Sequence, residues 1–271
     1  MTSTPVMPSR DSTLAHDRAG SGEALVLVHP LGADRVVWEP VMERLAAHHD
    51  VIAVDMPGFG ESPELPEDVP ATARGIAAEI GATLDSLSVG RAHVAGISLG
   101  GWVALEFAKS DRCLSVTGLC AAGFWARPLG PRPEAARGAA QALVAPLRLI
   151  LQSERARRLM LRGTIAHPER VPPAAAYRLV RSYALSPGFA RANAEMRKSL
   201  FEGFEDIRVP VTLAWADRDR LVSPPRSVAS GVHTVRLHDC GHVPTWDSPD
   251  QVAAAILQTT ARAARPVSSG A

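Results

Sequence analysis

The sequence is poor in several things, and each shortage excludes something. Cysteine occurs three times in 271 residues, at Cys113, Cys120 and Cys240, with no CxxC pair. So sparse and odd a set excludes a disulfide framework and a structural zinc site. No apolar run reaches the ~18 residues that a membrane-spanning helix needs. The first twenty residues lack the apolar core of a secretory signal, so a soluble, cytoplasmic protein with no membrane partner is expected. A formal net charge of only +1 argues against a nucleic-acid partner. No Walker lysine, dinucleotide fingerprint or metal-ligand cluster is present, which leaves no metal or organic cofactor to expect. What remains, with 46% hydrophobic and 21% charged residues, is an ordinary globular composition.

Lysine is also scarce: two of the 29 basic residues are lysine and the rest arginine. Their placement is uneven. Residues 125–200 hold fourteen bases against four acids, ten net positive, and the remainder is nine net negative.

The pattern along the chain is that of an α/β protein with a mostly parallel sheet. Short Val/Ile/Leu-rich runs at 24–30, 50–57, 91–97, 115–123, 211–217 and 233–239 read as strands covered on both faces. Residues 14–17 read as an earlier edge strand. Helical stretches alternate with these runs at 36–48, 71–87, 99–109 and 249–262. The second spaces Ile76, Ile80, Leu84 and Leu87 as one apolar stripe. The last opens on Ser248-Pro249-Asp250, an N-cap with proline in the first turn. From about 125 to 204 the alternation stops, and arginine-rich amphipathic helices separated by Pro/Gly clusters take over. The chain thus divides into a core, 1–124 with 205–271, and a helical insertion, 125–204.

The most informative stretch is AHVAGISLGGWVALEFA, in which a strand runs through Gly96-Ile97-Ser98-Leu99-Gly100 into a helix. A G-x-S-x-G turn in that context lifts a serine above the sheet edge at a helix N-terminus, where developing negative charge is favoured. Glycines flank it because side chains there would collide with the neighbouring strand or helix.

With this elbow the chain resembles the α/β-hydrolase family, and further motifs fit. His29-Pro30-Leu31-Gly32 is similar to the family's His-Gly-x-Gly oxyanion loop, with proline at the usual glycine. Asp55-Met56-Pro57-Gly58-Phe59-Gly60-Glu61-Ser62 is similar to its D-x-P-G-x-G-x-S turn. AWADRDRLVSP resembles the segment carrying the acid, and Cys240-Gly241-His242-Val243-Pro244 the loop carrying the histidine. The resemblance implies a helical cap inserted after strand 6 and a triad of Ser98, Asp219 and His242, in the order that fold requires. It also implies an oxyanion hole of the Leu31 and Leu99 N–H groups. Pro30 lacks an N–H, but its N–H is not one of the two required. A serine nucleophile rather than an aspartate counts against dehalogenase and epoxide-hydrolase chemistry.

The residues leave rivals. Asp217 and Asp239 also lie near strand ends. Asp219 is favoured because it stands further into its loop, while Asp217 fits a turn cap. His233 and His238 lie on a strand, and His29 reads as a structural residue bonding loop backbone. The insertion's Trp125, Leu143, Leu147, Leu151, Leu159, Met160, Tyr177 and Tyr183 divide between packing and lining an acyl pocket. The arginine excess has three readings: solvated helix faces, docking on the acidic body, or holding a substrate anion. The expected activity is hydrolysis of a carboxylic ester, lactone or thioester through an acyl-enzyme, on a small acyl substrate that the basic segment would suit to be anionic. Carbon–carbon bond hydrolysis of a ring-cleavage product, cofactor-free perhydrolysis and a low-turnover ligand sensor are the alternatives.

Overall fold

The computed structural model describes residues 13–130, 135–142 and 144–264. Its strands are β1 (His16–Ala19), β2 (Ala24–Val28), β3 (Asp50–Val54), β4 (Ala92–Ile97), β5 (Cys113–Leu119), β6 (Val211–Ala216) and β7 (His233–Leu237). They form one sheet in the order β1-β3-β2-β4-β5-β6-β7. Only β1 runs antiparallel, against β3. All six runs and the edge strand expected from the sequence are present. β4 ends at Ile97 as expected, the other five runs stop one to four residues earlier at their carboxyl ends, and the edge strand lies two residues later than expected.

Every residue of β2, β4 and β6 is buried, because helices cover both faces. The period of two sorts them. Leu25, Leu27, Val51 and Ala53 face one core layer; Val26, Val28, Ile52 and Val54 face the other. Each fully buried aliphatic side chain contributes on the order of 1.5–3 kcal/mol. β7 departs from the continuous burial expected of it. It is the sheet's edge, and His233, Thr234 and Arg236 are exposed.

The flanking helices are α1 (Glu39–Ala46), α2 (Ala73–Ser86), α3 (Leu99–Phe107) and, last in the chain, α9 (Pro249–Ala263). α1 is preceded by a 3-10 turn over Arg35–Trp38, capped by the Asp34 carboxylate, which accepts from Val36 N at 2.9 Å. Thr72 caps α2 by accepting from Gly75 N. Ile76, Ile80 and Leu84 are its buried stripe. Ser248 does stand at the N-cap of α9, but its hydroxyl accepts from the Gln251 side chain instead of capping the helix backbone.

Between β5 and β6 lie α4 (Ala135–Ala142), α5 (Val144–Ile150), α6 (Glu154–Leu161), α7 (Pro173–Leu185) and α8 (Phe189–Lys198). Counted along this chain, the strand before the insertion is the fifth. Leu147, Leu151, Val171 and Ala176 share the core layer of Leu25 and Leu27, whereas Phe189 and Phe201 join the other.

The strand order creates a crevice. From β2 the chain crosses to β3 on one side, and β4 then pairs with β2 on the other. Loops leaving the carboxyl ends of β2 and β4 therefore part there, the usual place for a site in an open parallel sheet.

Candidate active site

Ser98 sits at that crevice, between the last residue of β4 and the first of α3. Its φ of 56° and ψ of −117° lie in a region that costs a non-glycine residue on the order of 1–3 kcal/mol. Backbone hydrogen bonds hold it there. Its N–H donates to Leu119 O at 2.9 Å, and its carbonyl accepts from Trp102 N and Ala122 N at 3.1 and 2.9 Å. The flanking glycines are required by contact. A Cβ on Gly96 would stand 2.1 Å from Gly100 O, and one on Gly100 2.2 Å from Val28 O.

The loop after β2 is knotted to the loop after β3. His29 is fully buried; its Nδ1 donates to Pro30 O at 2.8 Å and its Nε2 accepts from Met56 N at 2.9 Å. That pattern requires the neutral Nδ1–H tautomer. Burial pushes the ring's pKa down, outweighing the Asp55 carboxylate, which fits the structural role expected of it. Asp55 accepts from Arg35 N and Glu61 N and from the Arg35 guanidinium, while Ser62 Oγ donates to its carbonyl. Pro30 is accommodated because the loop takes its positive φ at Gly32, at 77°. The Leu31 and Leu99 N–H groups donate to no backbone carbonyl among the described residues. Leu99 opens α3, so its N–H has no partner within the helix.

Of the three aspartates weighed, Asp219 is the one bonded to His242. His242 Nδ1 lies 2.7 Å from Asp219 Oδ2, and Asp219 Oδ1 accepts from Leu221 N and Val222 N at 2.7 and 3.0 Å. Both side chains are buried. Burial alone would raise the Asp219 pKa; the bond to His242, its charge and the two backbone N–H groups hold it below the ordinary carboxylate value. Asp217 caps the turn, accepting from Asp239 N and Cys240 N. Asp239 pairs with Arg218 and His167 at the surface. Among the described residues no hydrogen bond joins His242 to Ser98 Oγ; where such a pair is catalytic, the bond often tightens only with substrate. The two are joined through β5: Leu119 and Ala122 bond the Ser98 backbone, and Cys120 between them reaches Asp219 and His242. The Cys120 thiol, an Asp219 oxygen and a His242 nitrogen lie within 4.8 Å of one another. These three could be metal donors, but the carboxylate and imidazole are already committed to each other.

The insertion grips the site loops at three points. Tyr183 and Phe189 abut Gly32, where a Cβ would stand 2.9 and 3.1 Å from their rings. Gly188 N donates to Gly58 O at 3.0 Å. Asp247, buried just past His242, accepts from Gly241 N, Ala166 N and His167 N at 2.7, 3.0 and 2.7 Å, and Val243 N donates to Thr164 O at 2.8 Å. Sequence reasoning missed Cys120 and Asp247; the only signal for Asp247 was its place just beyond the histidine loop. Of the expected pocket residues, Leu147 and Leu151 are fully buried packing, Leu159 is 62% exposed, and Leu143 lies outside the described residues. Tyr183 lies against Gly32.

No helix among the described residues is long and apolar enough to cross a membrane. Known proteins give the geometry a lineage. Over 95 residues the chain is 38% identical to the pimeloyl-[acyl-carrier protein] methyl ester esterase of Aeromonas salmonicida, 35% of each sequence. It thus spans about a third of the length of the curated relatives it matches. Its fold is shared with a thermophilic esterase from Thermogutta terrifontis, TM-score 0.70 at 24% identity over 92% of this chain and 93% of that one. It is shared also with the enol-lactonase from Burkholderia xenovorans LB400, TM-score 0.71 at 20% identity over 95% and 100%. The model of the alpha/beta hydrolase family matches residues 25–255, and with this sheet, elbow and loop set the chain belongs to that family.

Proposed function

We propose that this protein is a serine hydrolase that cleaves a carboxylic ester, lactone or thioester, with residues 125–204 as its cap. The observation that carries the reading is the buried Asp219–His242 bond of 2.7 Å, on loops that reach the β5 end on which Ser98 is also hung. The esterase and lactonase among the similar proteins support the substrate class.

In this reading Ser98 Oγ attacks the acyl carbon as His242 Nε2 takes its proton. Asp219 fixes the imidazole with its Nδ1–H toward the carboxylate and stabilises the imidazolium. The oxyanion is held by the Leu31 and Leu99 N–H groups, each such donor being worth about 2.7–4 kcal/mol in the transition state. His242 returns the proton to the leaving group. Water, activated by the same imidazole, then releases the acid and restores Ser98. The net charge of the cap favours an acyl group that carries an anion.

A fluorophosphonate probe tests the assignment directly. Wild-type protein is expected to be labelled at Ser98, and Ser98→Ala to lose both labelling and at least about 10⁴-fold of its turnover of p-nitrophenyl esters. An unlabelled wild type would overturn it.

A further inference from the structure

Cys120 has no part in the steps above, yet it stands beside the pair that drives them. It follows β5 directly, one residue after the carbonyl that receives the Ser98 N–H. Its φ is 46°, a left-handed conformation that non-glycine residues seldom adopt. Its N–H donates to Ala214 O of β6 at 2.8 Å, so the backbone is pinned between two strands, and the side chain is fully buried. From there its Sγ lies within 4.8 Å of both an Asp219 oxygen and a His242 ring nitrogen.

The Asp219 carboxylate has room for it. Oδ1 accepts from two backbone N–H groups, whereas among the described residues Oδ2 accepts a nitrogen donor from His242 Nδ1 alone. A carboxylate presents about four acceptor sites. Burial first, and the Asp219 charge next, push the Cys120 thiol well above its ordinary value. It is therefore protonated, a weak S–H donor beside a buried anion.

We propose that Cys120 is a positioning residue for the hydrolysis, its thiol facing the Asp219 carboxylate and setting how strongly that carboxylate holds His242. The inference rests on the triad reading of Ser98, His242 and Asp219. A weak donor leaves most of the carboxylate charge for the imidazolium. A stronger donor at the same place draws on it, and no donor leaves it whole. The other titratable group at Cys120 is the Cys240 thiol, with Asp247, Asp217, Asp239 and Arg170 around Cys240. None of these residues is itself altered by a substitution at residue 120.

The test is the pH profile of kcat/KM on a p-nitrophenyl ester for wild type, Cys120→Ser and Cys120→Ala, normalised by fluorophosphonate titration of competent sites. Relative to wild type, the acid-limb midpoint is expected about half a pH unit lower in Cys120→Ser and about half a unit higher in Cys120→Ala, with kcat rather than KM carrying the change. Should the alanine variant not fold, Cys120→Gly replaces it, since glycine suits the positive φ. A purely structural role would move both midpoints the same way or neither, and either result overturns the proposal. If wild type itself does not label, the triad reading has failed; if all variants label and their midpoints coincide, only the role of Cys120 has.

Discussion

Asp219 is held by opposing influences, and their balance has a measurable sign. Burial disfavours its charge, while His242 and two backbone N–H groups favour it, and the net effect lowers its pKa. A carboxyl depressed on folding stabilises the native state fully above the unfolded value of ~3.9. That contribution disappears as pH falls through the folded value. Asp219→Asn should therefore lose about 10⁴-fold in kcat, the cost of an imidazole held in the wrong tautomer. The melting-temperature gap between wild type and variant should also narrow on acidification from about pH 6 to about pH 3. A gap that stays constant with pH would remove the electrostatic account. That Asp219 rather than Asp217 would meet His242 was legible, because a residue further into the loop has reach that a turn cap lacks. Cys120 was not legible. Its proximity to Asp219 depends on β5 and β6 being adjacent, which no local pattern of either segment encodes.

At the scale of elements, the strands could be read because both their faces are buried, which demands continuous apolar runs. Glycines that meet backbone when given a Cβ made the elbow equally legible. The docking of the insertion was not, since it depends on a few polar staples between distant segments. Asp247 is the clearest, a buried carboxylate accepting three backbone N–H groups from the His242 loop and from residues 166–167. The guanidinium of Arg170 also closes on its carbonyl. Asp247→Asn replaces one acceptor oxygen with a donor that faces N–H groups. With each lost bond to a charged acceptor worth about 1.5–3 kcal/mol, the variant should be destabilised by roughly 2–4 kcal/mol. Denaturant titration measures the loss, and limited proteolysis should open the segment between α6 and α7 first. Unchanged stability and an unchanged cleavage pattern would mean that the insertion is held by packing alone.

Across the whole molecule, charge is divided: residues 125–200 are ten net positive and the remainder nine net negative. Sequence arithmetic gave that division but not where the arginines are used. Five of them grip backbone carbonyls: Arg137, Arg157, Arg170, Arg191 and Arg197. Arg158 pairs with Glu154 and Arg178 with Asp34. A guanidinium bonded to a carbonyl keeps its charge, so stapling and steering are not exclusive, and the anionic substrate proposed above would meet a segment of net positive charge. Such a field raises the local concentration of an oppositely charged substrate and is screened over about 10 Å at 0.1 M salt. For two esters of equal length, one neutral and one with a terminal carboxylate, kcat/KM of the charged one should fall roughly tenfold more between about 0.01 M and 0.5 M salt. Because five of the seven arginines hold neutral carbonyls rather than opposite charges, salt screens these contacts little and stability should change little over that range, which separates a field acting on substrate from an insertion that loosens. Parallel salt curves for the two esters would show that the arginines serve the fold alone.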